Sequence, residues 1–510
     1  MIVVMDLGGQ YCHLIARKIR ELGVKSEIIP FNTSIEKIKR MNPKGIILSG
    51  GPNDVNAPDA LFPDKGIFSL GIPVLGICYG HQAIAKMLGG RVISGDFKEY
   101  GKKIISIKKN PLFKGLKKKE QGWLSHGDTV KVLPKGFKSI ASTERCNVAA
   151  FASKNNKFFG LQFHPEVRHT PKGKIVLKNF VFSVCRAKKE WSIKKLKNIL
   201  INEARETIGN KKVLMAVSGG VDSLVSSTIL KKAIGDNFFC VFIDTGLMRK
   251  NEAAYVKDLY KKLKFKNFFA LNAEERFMRR LKGVTDPERK RKIIATTFIR
   301  VFEEKARDLE KTHGRIEFLA QGTIYPDRIE SAQPSNSANR IKSHHNVTLP
   351  EKMDLTVFEP IKELYKDEVR QLGLSLGITK KFLFRHPFPG PGLAIRIIGE
   401  VTKEKVRILQ EVDSIFIEEL EKSNYYDKTW QALAALLSLR SVGVMGDFRT
   451  YGYIVSLRAV DSVDAMTADW AKLPHSLLER ISTRIVNEVK GVNRVLYDIT
   501  QKPPATIEYE

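Results

Sequence analysis

Short, uninterrupted apolar runs recur along this chain, among them Ile2–Met5, Gly45–Leu48, Val213–Val217 and Phe238–Ile243. Between them lie stretches with helical spacing, such as Tyr11–Leu22 and Leu224–Ala233. A strand that is apolar on both faces must be covered on both faces, and alternation with helices is the pattern that covers it. This predicts an α/β fold with two doubly wound parallel-sheet domains. A smaller α+β domain follows, in which Lys403–Leu420 reads as helix and Gly452–Ala459 and Val492–Ile499 read as strands. The basic stretch Arg186–Lys197 has few apolar residues and reads as a linker running into a helix. His386–Gly392 (HPFPGPG) is too rich in Pro and Gly for helix or interior strand, so it marks a boundary or a rigid loop. The expected domains are therefore 1–190, 191–385 and 386–510.

The length of 510 residues fits about three domains, at ~100–200 residues each. With 43% apolar and 28% charged residues the chain is neither disordered nor fibrous. No apolar run nears the ~20 residues that cross a bilayer, and Met1–Asp6 lacks the basic start of a secretory signal. Five scattered cysteines (Cys12, Cys78, Cys146, Cys185, Cys240) without CxxC spacing argue against a disulfide framework or zinc ribbon and for a reducing cytoplasm. The formal charge is +31, yet residues 386–510 hold 15 Lys+Arg against 17 Asp+Glu. The excess is spread over the rest in short lysine runs without interleaved aromatics, which reads as a solvated surface and not as a nucleic-acid site.

Two motifs carry chemistry. The first runs from an apolar strand into Gly76–Gly80 (GICYG) and then a helix-like segment. A tight strand-to-helix turn lifts its central side chain out of the sheet, and the helix start favours thiolate over thiol. Cys78 is thus the candidate nucleophile, whereas the other four cysteines read as buried structural residues. A thiol nucleophile needs a base, and the base needs an orienting partner. Gln162–Glu166 (QFHPE) supplies both in His164 and Glu166. Backbone amides of Tyr79, and of Gly51 in the Ser49–Pro52 turn, are candidate donors to the oxyanion. The chemistry implied is acyl transfer through a thioester, most simply hydrolysis of an amide.

The second motif is Ser218–Ser223 (SGGVDS), between the buried strand Val213–Val217 and a helix. Its glycines let backbone amides converge on an anion at a helix N-terminus. No Gly-Lys-Ser/Thr follows, so the loop suits the pyrophosphate leaving group of an adenylation better than γ-phosphoryl transfer. Asp222 could hold Mg²⁺ against those phosphates.

A cysteine amidotransferase motif, an ATP-pyrophosphatase loop and a third domain, in that order, resemble the glutamine-hydrolysing GMP synthetases from Met1 to Glu510. The resemblance is dense in Gly76–Gln82, Ser125–Asp128 (SHGD), His164–Glu166, Ser218–Ser223 and Gln321–Thr323. It is most specific in Ile341–Val347 (IKSHHNV), His386–Ile397 (HPFPGPGLAIRI), Ser441–Asp447 (SVGVMGD) and Lys502–Glu508 (KPPATIE). The resemblance implies a glutamine-dependent, AMP-forming C–N ligase of guanine nucleotide synthesis. Ammonia from glutamine would aminate xanthosine monophosphate (XMP) after its adenylation by Mg-ATP.

By the same resemblance, ATP contacts fall on Ser218, Gly219, Gly220, Val221, Asp222 and Ser223, with Asp244 and Gly322. A lid over 327–346 would contribute Glu330, Lys342, His344 and His345, next to Lys366 and Asp367. XMP contacts fall on Arg291, Gln431, Arg494, Lys502, Ile507 and Glu508. The C-terminal domain would make a homodimer and help close the XMP site. Tyr509 stands where the family usually has Trp. Other ATP-pyrophosphatase amidotransferases resemble the chain only around the loop. An RNA-modifying protein built on that loop would need catalytic cysteines in the loop domain, which holds Cys240 alone. A non-catalytic homologue would not need to retain triad, loop and C-terminal segment together.

Overall fold

The computed structural model describes residues 1–52, 54–332, 355–445, 447–462 and 467–510. They fall into two compact units, Met1–Lys195 and Leu196–Glu510.

The strands of the first unit are β1 (Ile2–Asp6), β2 (Ser26–Pro30), β3 (Gly45–Leu48), β4 (Val74–Ile77), β5 (Arg91–Ile107), β6 (Lys119–Val132), β7 (Phe137–Ser142), β8 (Ala150–Ser153) and β9 (Phe158–Leu161). They form one sheet in the order β2-β1-β3-β4-β9-β8-β7-β5-β6. From β2 to β9 every pairing is parallel, as the apolar runs predict. From β9 outward every pairing is antiparallel. The sheet is therefore mixed and not wholly parallel. β5 and β6 are joined by a short connection, which can only return the chain antiparallel, whereas parallel neighbours need a long crossover. On the parallel half, Val3, Met5, Ile46, Leu48 and Val74 share one buried cluster with Ala83 and Ile84 of the helix Tyr79–Met87.

The second unit holds two sheets. One comprises β10 (Val213–Ala216), β11 (Phe238–Asp244), β12 (Phe268–Asn272), β13 (Phe318–Ala320) and β14 (Thr356–Phe358). Its order is β12-β11-β10-β13-β14 and all four pairings are parallel. The other comprises β15 (Ile397–Ile398), β16 (Gln431–Met445), β17 (Phe448–Ser462), β18 (Ala468–Trp470) and β19 (Val492–Tyr497). Its order is β15-β16-β17-β18, with β19 also paired to β17.

The expected boundary at 385/386 falls inside this unit. Leu214 and Phe239 of the parallel sheet share one apolar cluster with Leu436 and Val455 of the mixed sheet. Ile294 and Phe302 of the helix Pro287–His313, and Leu409 and Phe416 of the helix Lys403–Lys422, belong to the same cluster. The Pro/Gly-rich segment joins the two sheets firmly. The Phe388 ring has the guanidinium carbons of Arg249 and Arg396 each 5.0 Å from its centre. Leu393 N donates to Leu247 O at 2.7 Å, and Lys290 Nζ donates to Ile397 O at 2.7 Å.

Candidate active sites

β4 ends at Ile77, the helix Tyr79–Met87 begins two residues later, and Cys78 between them has φ 53° and ψ −105°. This is a strained conformation for a residue with a side chain, worth on the order of 1–3 kcal/mol. The flanking glycines make room for it. A Cβ on Gly76 would sit 2.2 Å from Gly80 O, and one on Gly80 would sit 2.5 Å from Leu48 O.

The turn aims the sulfur at three neighbours. Cys78 Sγ lies 3.7 Å from Ser125 O on β6 and 3.8 Å from Gln162 Nε2 just after β9. The third is the His164 imidazole, whose protonated form the sulfur favours. His164 Nδ1 is 2.7 Å from Glu166 Oε1, and both residues are buried. The backbone holds the imidazole in place: His164 N donates to Trp123 O at 2.9 Å, and Thr170 Oγ1 donates to His164 O at 2.6 Å. The Tyr11 ring meets it edge-on at 5.2 Å between centres. Burial alone would lower the imidazole pKa, but Glu166 and Cys78 hold it well above its ordinary value. The arrangement suits a thiolate–imidazolium pair.

Gly51 and Tyr79, the candidate oxyanion donors, are brought together at this turn. A Cβ on Gly51 would lie 3.3 Å from Tyr79 Cβ, and one on Gly50 would lie 3.5 Å from His164 Cε1.

In the second unit Ser218–Ser223 connects β10 to the helix Val221–Ile234. Ser223 Oγ donates to Gly220 O at 3.0 Å, and Gly220 N donates to Ser218 Oγ at 3.3 Å. No side chain caps the helix start, so its amides suit an anion. Gly322 packs over the loop: a Cβ there would lie 3.2 Å from Ser223 N. Asp244 ends β11, where its Oδ1 accepts from Gly246 N at 3.0 Å. Lys366 Nζ pairs with Asp222 Oδ2, while Asp222 Oδ1 is buried without a hydrogen-bond partner among the described residues. Asp367 follows Lys366 in the first turn of the helix Lys366–Ser375. Lys342, His344 and His345 lie outside the described residues, as does the side chain of Glu330.

Of the residues expected to contact XMP, Gln431 and Glu508 meet: Gln431 Nε2 donates to Glu508 Oε1 at 2.7 Å. Glu508 is also gripped by the fully buried Arg396 through two hydrogen bonds of 2.9 Å. The Glu508 carboxylate is thus part of the chain's own interior network, and burial is outweighed by Arg396 in holding its pKa low. Ile507 is buried with Leu433, Val460 and Ala468, and Lys502 bridges to the same Ala468 through the backbone. Arg494 is exposed on β19, and Arg291 stands on the helix Pro287–His313 with Glu288 at 3.4 Å.

Sequence reasoning passed over Tyr11, Trp123, Thr170 and Arg396, whose roles rest on contacts between elements remote in the chain. It also passed over a second buried group in the first unit. The ligand atoms of Glu99, His126 and Cys146 lie within 4.8 Å of one another. Contacts inside the protein account for most of this group, although His126 Nε2 has no hydrogen-bond partner among the described residues. Thr143 Oγ1 donates to Glu99 Oε1 at 2.9 Å, His126 Nε2 is 3.3 Å from Glu99 Oε2, and burial pushes the Cys146 thiol up.

A cysteine elbow on a five-stranded parallel core, with His and Glu behind the sulfur, defines the class I glutamine amidotransferases. The family described as "Glutamine amidotransferase class-I" matches residues 3–184, and "GMP synthase C terminal domain" matches residues 418–509. Relatives named "GMP synthase (glutamine-hydrolyzing)" align from end to end. The one from Clostridium tetani is 52% identical, and that from Clostridium novyi 54%, each over 512 residues. A third, from Caldicellulosiruptor saccharolyticus, is 54% identical over 513 residues. All three alignments cover 100% of this chain and 99% of the relative. The chain belongs to the glutamine-hydrolysing GMP synthase family.

Proposed function

We propose that this chain makes GMP from XMP, glutamine and ATP, with one half-reaction in each unit. The reading is carried by the end-to-end likeness to GMP synthases in a chain whose Cys78, His164 and Glu166 converge. In the first unit the Cys78 thiolate attacks the side-chain carboxamide carbon of glutamine. Amides of Gly51 and Tyr79 receive the oxyanion, and the His164 imidazolium passes its proton to the departing nitrogen, which leaves as ammonia. Neutral His164 then takes a proton from the water that cleaves the thioester. Glu166 holds the Nδ1–H and keeps Nε2 facing the sulfur.

In the second unit an oxygen of XMP attacks the α-phosphorus of ATP, and the loop Ser218–Ser223 receives the departing pyrophosphate. The attack turns a poor leaving group into AMP, which ammonia displaces. Asp222 and Lys366 line that loop. The buried, unpartnered Oδ1 of Asp222 fits a divalent cation. Mg²⁺ bound there supplies charge neutralisation for the triphosphate. Lys342, His344, His345 and Glu330, with Asp367, belong to the proposed lid, and Arg291, Gln431, Arg494, Lys502, Ile507 and Glu508 to the proposed XMP site.

The test is product analysis by mass spectrometry with XMP, glutamine and Mg-ATP. GMP, AMP and pyrophosphate should form only with XMP; ATP consumption without GMP would move the acceptor elsewhere. Replacing Cys78 with Ala should abolish the glutamine-dependent reaction and spare the ammonia-dependent one. Loss of both in a folded variant would sink the division of labour.

The proposed partner is a second copy of the chain, in the cytoplasm. The hairpin β16–β17 exposes Leu439, Val442, Val444, Phe448 and Tyr451, with Phe448 at 78%. Val442, Val444 and Tyr451 share one face of the hairpin and Phe448 stands on the other, and large apolar side chains left this exposed call for cover. Light scattering on Phe448→Asp should give a monomer where the parent chain gives a dimer. Among the described residues no helix is long and apolar enough to cross a membrane.

A further inference from the structure

We infer that Gln162 is a catalytic residue of the glutaminase half-reaction, its Nε2 donating a hydrogen bond to the Cys78 thiolate. The inference rests on Cys78 being the nucleophile. Gln162 is fully buried, follows β9 directly and is tied by its backbone N to Ala149 O at 2.9 Å.

Which end of its amide faces the sulfur follows from the neighbours. Gln82 Nε2 lies 3.0 Å from Asp128 O and 3.2 Å from Gln162 Oε1. A backbone carbonyl only accepts, so the Gln82 atom facing Asp128 O is the amide nitrogen. The second hydrogen on that nitrogen needs an acceptor, and Gln162 Oε1 is the one it meets. Gln162 Nε2 is thereby turned toward Cys78 Sγ at 3.8 Å. Flipping Gln162 would set two NH₂ groups face to face and aim a carbonyl oxygen at the thiolate, and both contacts repel. The carbonyl that begins this chain of constraints is itself held, since His126 Nδ1 lies 2.9 Å from it and His126 Nε2 reaches Glu99. The sulfur therefore has a neutral, preoriented donor in addition to His164. A hydrogen bond to the charged form favours it, and in a buried site the effect on a thiol is large.

The experiment is alkylation of Cys78 by iodoacetamide as a function of pH, read by mass spectrometry of the Cys78 peptide in the full chain. The midpoint of the parent chain is the reference against which the variants are read. Gln162→Met, which keeps the shape and loses the donor, should raise the midpoint by about one unit. Below both midpoints alkylation should then be about threefold slower, while the limiting rate at high pH should rise by about the same factor, because the more basic thiolate is the better nucleophile. Gln162→Glu should raise the midpoint further, because it sets a carboxylate against the thiolate. Gln82→Met leaves Gln162 in place but frees its amide, and should raise the midpoint by less. A role in packing alone would lower thermal stability and leave the midpoint where it was. Superposable profiles for the parent and Gln162→Met overturn the inference. If Gln162→Met does not fold, a superposable profile for Gln82→Met overturns it instead. A Cys78→Ala chain that still released ammonia from glutamine would overturn the reading of Cys78 as well.

Discussion

The chemistry proposed for the first unit turns on how one buried imidazole is charged. His164 is held well above its ordinary pKa against the pull of burial, by Glu166 and by Cys78. Replacing Glu166 with Gln keeps the shape and removes the charge that faces Nδ1. The His164 pKa should then fall, and the alkaline limb of glutamine-dependent activity should move to lower pH. The rate should drop about 10²–10⁴-fold, the range that positioned acid–base groups supply. A pH–rate profile of ammonia release measures both, and an unmoved alkaline limb would remove Glu166 from the role given to it. His164 and Glu166 were legible as residues from their spacing, because the proline between them constrains the chain locally. Tyr11, Trp123 and Thr170, which seat the imidazole, were not, because no local pattern ties them to residue 164.

At the scale of elements, the strand–turn–helix around Cys78 was legible because its glycines sit where close approach demands them. Gly80→Ala tests that demand, since its Cβ would meet Leu48 O on the neighbouring strand. The helix would have to move off β3, at a cost of about 2–3 kcal/mol, the upper part of the range for single substitutions. Urea denaturation of the full chain would register the loss in the transition of the first unit, and an unshifted midpoint would mean that the elbow can relax. The β5–β6 hairpin was not legible, because these strands carry mostly polar and basic residues and pair only with one another and the end of β7. The segment HPFPGPG was read as a boundary or a rigid loop. Its phenyl ring, met by the guanidinium groups of Arg249 and Arg396, and the backbone ties beside it make it a fastening between two sheets.

For the whole molecule, the shared core predicts how the chain can be cut. Residues 1–195 have their own sheet and apolar cluster and should fold alone, with a cooperative thermal transition by circular dichroism. A cut at 385/386 divides the core that Leu214, Phe239, Leu436 and Val455 share, so 196–385 and 386–510 should each fail to show one. Cooperative melting of either fragment would restore a third independent domain.

Acid should weaken the second unit through His386. Its Nδ1 accepts from Ala432 N at 3.1 Å, its Nε2 faces Tyr426 O at 2.9 Å, and burial lowers its pKa to about 4. An unfolded histidine takes up its proton near ~6.5. The contribution is therefore complete above that pH and is lost as pH falls toward 4, by about 2 kcal/mol between pH 7 and pH 5. Urea midpoints across that range should fall, and His386→Asn should flatten the fall; parallel slopes would exonerate His386.

Sequence alone determined what neighbours along the chain decide: buried parallel strands, the elbow at Cys78, the glycine loop at Ser218–Ser223, and which residue types stand at positions 78, 164 and 166. These follow from period, glycine sterics and side-chain chemistry over a few residues. Tertiary structure alone decided that the first sheet turns antiparallel beyond β9, and that the second unit has one core beneath two sheets. It also decided that Arg396 grips Glu508 and that an amide of Gln162 faces the sulfur. Such pairings join residues tens to hundreds of positions apart, and they depend on which surfaces pack together, a relation that no local pattern encodes.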